Sequence, residues 1–123
     1  MSAQHLALGA EGEARAAEHL RRRGYRIVAR NVRAGGVEID LIVRRGPLIV
    51  FVEVKTRRSQ SLGPPEQAVD ARKRARLVRG AAAWLRDHAR STRRARFDVI
   101  VCEPDPNGEW RVRHLEDAFD ASG

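Results

Sequence analysis

From Ala3 to Arg23, alanine, leucine and arginine recur at helical spacing until Gly24 stops the run. Tyr25 to Arg33 changes period. Tyr25, Ile27 and Ala29 alternate against Arg26, Val28 and Arg30, which predicts a strand. Ala34-Gly35-Gly36 makes a turn, and Glu38 to Arg44 a second strand. Arg45-Gly46-Pro47 is a tight connection. Leu48 to Lys55 is a third strand, apolar on both faces in its middle, as in a strand covered on two sides. Thr56 to Pro65 reads as a polar loop, longer than most. Glu66 to Ala89 reads as a long helix with Leu77, Ala81 and Trp84 on its apolar face. Phe97 to Glu103 is a buried strand, Pro104 to Gly108 a turn, and Trp110 to Leu115 a last, more exposed strand. Helix, three strands, helix and two strands predict a three-layer α/β domain, a central mixed sheet flanked by helices. Without an internal repeat or a boundary, residues 1–123 read as one domain.

Composition adds a partner class. The formal charge is +8 and 33% of residues are charged, which favours a polyanion, nucleic acid first. Cys102 is the one cysteine, so no disulfide framework or cysteine-based metal site can be built on it, and a reduced intracellular setting fits. No apolar stretch approaches membrane-spanning length and no secretory signal is visible, which makes a cytoplasmic location the expectation. His5, His19, His88 and His114 are scattered, each expected at the surface or an edge.

The cations are uneven. Two lysines stand against 22 arginines, and Lys55 closes the third strand two residues after Glu53. Arginine keeps its proton in a protein, whereas a compact ammonium can be tuned by burial and neighbours. Strand alternation places Glu53 and Lys55 on one face with Phe51, and Glu38, Asp40 and Ile42 on one face of the preceding strand. A two-residue loop sets Asp40 opposite Phe51, and a loop from Arg45 to Leu48 sets it opposite Glu53. Either register joins Asp40, Glu53 and Lys55 on one face, and an odd loop separates them.

The helices add to this face. Glu13 falls in line with Ala17 and Leu20 on the apolar stripe of the first helix, while Glu11 and Glu18 point elsewhere. On the second helix Lys73 extends the Leu77 stripe by one turn, flanked by Arg72 and Arg76. Three acids and a lysine on rigid elements suit Mg²⁺ or Mn²⁺ acting on a phosphodiester. The bland counterpart is a buried salt bridge from Lys55 to Glu53 or Asp40, for which burial gives weak stabilisation.

Gly12-Glu13-x-x-Ala16, Gly24-Tyr25-x-Ile27, Arg30-Asn31-Val32-Arg33, Glu38-Ile39-Asp40 and Phe51-Val52-Glu53-Val54-Lys55-Thr56-Arg57 follow one another at characteristic spacing. With Arg96-Phe97-Asp98-Val99 and His114…Ala118-Phe119 they resemble the YraN family over nearly the whole chain. Asp40…Glu53-x-Lys55 also resembles the PD-(D/E)xK nuclease signature. Val37, where the family usually has glycine, is a departure.

The resemblance implies a restriction-endonuclease-like fold similar to Holliday-junction resolvases. It implies a metal-dependent endonuclease acting on DNA, in the branched-DNA version as a homodimer. Asp40 and Glu53 would be metal ligands, Glu13 the helix-borne acid, and Lys55 the group on the attacking water. Lys73, Arg72 and Arg76 are candidate nucleic-acid contacts, and Asp98 and Glu38 are left open as sheet-pairing residues. The alternatives are a non-catalytic nucleic-acid-binding or assembly module on the same fold, and an RNA-processing nuclease.

Overall fold

The computed structural model of the chain describes residues 3–58, 63–64, 69–88 and 94–121. Its elements run α1 (Ala3–Arg22), β1 (Arg26–Ala34), β2 (Val37–Arg45), β3 (Leu48–Thr56), α2 (Ala71–His88), β4 (Arg94–Pro104) and β5 (Trp110–Phe119). The strands form one sheet in the order β1-β2-β3-β4-β5. Neighbours are antiparallel except β3 and β4, which are parallel because α2 crosses between them. This is a mixed α/β sheet flanked by two helices, the layering of a restriction-endonuclease-like domain.

Each helix covers its own core. On one face Ala16, Ala17 and Leu20 of α1 meet Leu41, Val50, Val52 and Ile100. On the other, Leu77, Ala81 and Trp84 of α2 meet Ile39, Phe51, Phe97 and Val101. The small residues set the spacing. A Cβ at Gly12 would overlap Thr56 Oγ1, and one at Gly80 would meet the Ala34 carbonyl at 3.2 Å. Glycine at these two points lets α1 lie against β3 and α2 against the β1–β2 hairpin.

Several boundaries differ from the sequence reading. α2 begins at Ala71 rather than Glu66, because Asp70 caps it: Asp70 Oδ1 accepts the Lys73 amide at 3.0 Å. Residues 65–68 and 89 lie outside the described set. β4 starts at Arg94 instead of Phe97. β5 continues past Leu115 to Phe119, and an irregularity with Asp117 at φ 51° lets Phe119 turn into the core beside Phe97. β1 also breaks its alternation. A register shift between Ile27 and Ala29 sends Ile27 to the α1 core and Ala29 to the α2 core. No described helix is long and apolar enough to cross a membrane.

Candidate functional site

The β2–β3 hairpin turns through Gly46 and Pro47, and its ladder runs from Arg45–Leu48 to Leu41–Val52. Continued, this register sets Asp40 opposite Glu53, the second of the two even registers. Beyond Leu41 the hydrogen bonding changes. Asp40 Oδ2, a side-chain oxygen, accepts the Val54 amide at 2.8 Å. The carboxylate therefore sits in the fork where the two strands part.

Asp40 and Glu53 line one cavity of about 260 Å³ with Val37, Glu38, Lys73, Arg76 and Leu77. The sheet supplies the acids and α2 supplies the cations. Leu77, on the buried face of α2, brings Lys73 and Arg76 onto the same wall. Burial pushes the Asp40 carboxyl up to about 7, and the negative charge of Glu53 pushes in the same direction. Glu13 approaches from α1. It is half-buried, and its pKa is raised by burial and then by Asp40, while Asn31 and Arg30 act against the rise.

The remaining candidates are placed differently. Lys55 follows Glu53 on β3 but is not among the residues lining the cavity, and no ion pair joins it to Asp40 or Glu53. The salt bridge considered from sequence is therefore not formed. Arg72 is exposed outside the cavity lining. Among the described residues no three His, Cys, Asp or Glu side chains converge as a ready-made metal cage. Glu13 is thus a neighbour of the Asp40–Glu53 pair rather than a third member of one coordination shell. Two carboxylates without a paired cation still make an oxygen donor set of the kind Mg²⁺ takes, since that ion keeps several waters.

Two features went unseen in the sequence. Asn31 adopts φ 49° within β1, beside Glu13. Asparagine tolerates this left-handed geometry, and the only signal was an asparagine interrupting the pattern of a strand. His19 and His114 are not isolated surface groups. His19 Nε2 and His114 Nδ1 lie 3.1 Å apart, and His114 Nε2 is 2.7 Å from the fully buried Asp98. Arg96 donates to both Asp98 oxygens at 2.8 Å and to the Tyr25 hydroxyl at 2.6 Å. Burial alone would raise the Asp98 pKa, but the bonds from His114, Arg96 and the Asp117 amide hold it low. Asp98 is thus a buried sheet-pairing residue that does not line the cavity.

Helix, mixed sheet and helix make this an α/β protein whose three layers are compatible with a restriction-endonuclease-like domain. The chain belongs to the uncharacterised protein family UPF0102, whose model matches residues 12–102. It is 48% identical over 114 residues to a UPF0102 protein of Symbiobacterium thermophilum, covering 93% of this chain and 97% of that one. A UPF0102 protein of Nitratidesulfovibrio vulgaris is 46% identical over 98% of this chain and 88% of its own. One of Rhodococcus jostii is 44% identical over 95% and 99%.

Proposed function

We propose that this protein is a Mg²⁺- or Mn²⁺-dependent nuclease that cleaves phosphodiester bonds of DNA, branched DNA included, in the cytoplasm. The observation that carries the reading is the Asp40–Glu53 pair, recessed in a cavity whose opposite wall carries Lys73 and Arg76. Like charges brought together and desolvated are unfavourable in the free protein, and a divalent cation relieves that strain. Asp40 and Glu53 would hold the ion, with Glu13 reaching it through water. When bound, such an ion polarises the phosphodiester and lowers the pKa of a water.

The chain's own groups do the rest. Lys73 and Arg76 neutralise the phosphate and fix its orientation across the cavity. Lys55 stands two residues from Glu53 on a rigid strand, poised to stabilise negative charge on the attacking oxygen once substrate fills the site. The resemblance to junction resolvases adds a homodimer, which light scattering at assay concentration checks.

The test is a cleavage panel of branched, single-stranded and duplex DNA, with RNA counterparts, in metal and in chelator. Metal-dependent cutting is expected, lost in Asp40→Ala and Lys55→Ala. Cutting at full rate in both variants would refute these roles. A second reading rests on the position of Lys55 outside the cavity lining and on the lack of a three-ligand cage among the described residues: a nucleic-acid-binding module without activity. It is favoured if millimolar Mn²⁺ neither binds nor raises the melting temperature through Asp40 and Glu53.

A further inference from the structure

The charge of this protein is not spread evenly over its exposed elements. On α1 the arginines are answered on their own helix. Arg15 pairs with Glu11 at 3.0 Å, and Arg22 pairs with Glu18 at 3.2 Å. β1 carries Arg26, Arg30 and Arg33, all exposed, and no acid. None of the three pairs with a described carboxylate. The same holds for Lys73, Arg76 and Arg79 along α2.

These two unanswered rows meet beside the candidate site. The tip of the β1–β2 hairpin packs on α2, where a Cβ at Gly35 would lie 3.1 Å from Ala83 and 3.3 Å from the Arg79 carbonyl. Arg33 is fixed at that tip by a 3.2 Å hydrogen bond to the Gly36 carbonyl. Arg30 lies close enough to Glu13 to lower its pKa. Lys73 and Arg76 line the cavity of Asp40 and Glu53. The acids are therefore flanked by β1 on one side and α2 on the other.

We propose that the arginines of edge strand β1, Arg30 and Arg33 on its α1 side and Arg26 on its α2 side, form a second nucleic-acid-binding surface along the sheet edge that tracks a phosphate backbone past the site. This rests on the nuclease reading for its partner and extends it to residues that reading does not use. The stretch from Arg26 to Arg33 spans roughly 23 Å at strand rise. That is the length of about seven phosphates along one strand of a duplex. An anionic membrane would be met by charge alone, because Val28 is the one large hydrophobic side chain exposed among the described residues. Charges on an edge strand also discourage strand pairing between copies, which is the competing explanation for these arginines.

The experiment measures fluorescence anisotropy of labelled duplex and single-stranded DNA in EDTA, over a salt series. Arg26→Gln/Arg30→Gln/Arg33→Gln is compared with wild type and with Arg15→Gln/Arg22→Gln. The β1 variant is expected to bind at least about fivefold more weakly. Its salt slope should flatten by about 0.7 to 0.9 for each arginine–phosphate pairing removed, with the α1 variant unchanged. Single variants are expected to flatten the slope one arginine at a time, so one misfolded triple variant does not decide the matter. Wild-type affinity and slope in the β1 variant, with or without aggregation, would overturn the inference and leave the nuclease reading standing. Wild-type protein that binds anionic vesicles but no nucleic acid would overturn both.

Discussion

Asp40 accepts the Val54 amide at 2.8 Å while facing Glu53 across the fork of β2 and β3. One oxygen completes the sheet as the group as a whole carries a charge that its surroundings oppose. The ionised form is penalised in the folded state, since burial and then Glu53 push its pKa to about 7. Below the ordinary value of 3.8 both states are protonated and there is no penalty. As pH rises toward 7 the unfolded chain ionises first, so stability falls, and above 7 the loss is complete. Asp40→Asn keeps an acceptor for Val54 and removes the charge. Metal-free Asp40→Asn is expected to be more stable than wild type by on the order of 1–3 kcal/mol at pH 8 and about equal at pH 4. Urea melts in EDTA at the two pH values check this, and a variant less stable at both would refute it.

Gly12 of α1 packs directly against Thr56 of β3, leaving no room for a Cβ. Alanine there gains up to about 1 kcal/mol of helix propensity. That gain is outweighed by the clash, for a net loss of about 1–3 kcal/mol. Gly12 also precedes Glu13, so moving the helix moves the acid away from Asp40. Thr56→Ala removes the Oγ1 that the new Cβ would overlap. Gly12→Ala/Thr56→Ala should therefore recover part of the stability that Gly12→Ala loses, measured as a double-mutant cycle of urea midpoints.

The element order and both helix faces were legible because each follows from periodicity within a segment, whereas the Asp40–Glu53 neighbourhood also needed the register of the β2–β3 hairpin, which alternation left open. Leu77, Ala81 and Trp84 are buried as a 3.6-residue pattern requires. The start of α2 at Ala71 is set by the Asp70 side chain on the Lys73 amide, a local cap that the helical composition around it obscured. The other features that escaped depend on tertiary contacts. Ala29 changes face through a register shift that no alternation announces. His19 and His114 are 95 residues apart in the chain and meet only when α1 lies across β5. The cavity shared by Asp40, Glu53, Lys73 and Arg76 is legible in part, because Lys73 continues the stripe of Leu77.

Asp98 should govern acid stability. Its folded pKa is depressed, so it contributes stability above the ordinary carboxylate range and loses it as pH falls through the lower folded value. Asp98→Asn leaves the Arg96 guanidinium partly buried without its counter-charge and is expected to cost about 3–5 kcal/mol at pH 7. The gap between wild type and variant should begin to narrow as pH falls through the ordinary carboxylate value of 3.8, where the unfolded chain takes up the proton while the folded carboxylate keeps its charge. Chemical denaturation from pH 3 to 7 reads it, and a constant gap would contradict the assignment.

Arg57 and Glu103 offer a different test, because both are almost fully buried and their ion pair is 2.9 Å long. Glu103 Oε1 has no hydrogen-bond partner among the described residues, and Arg113 approaches it only to 3.5 Å. Desolvation is thus incompletely offset by geometry. Removing one partner strands the other, so Arg57→Met is expected to lose about 3–5 kcal/mol. Removing both with apolar groups of similar size ends the desolvation penalty altogether. Arg57→Met/Glu103→Met is therefore expected to return to within about 1 kcal/mol of wild type or exceed it. A double variant as unstable as Arg57→Met would mean that the pair contributes net stability. That would make the anchor where the chain leaves β3 electrostatic and not a matter of packing.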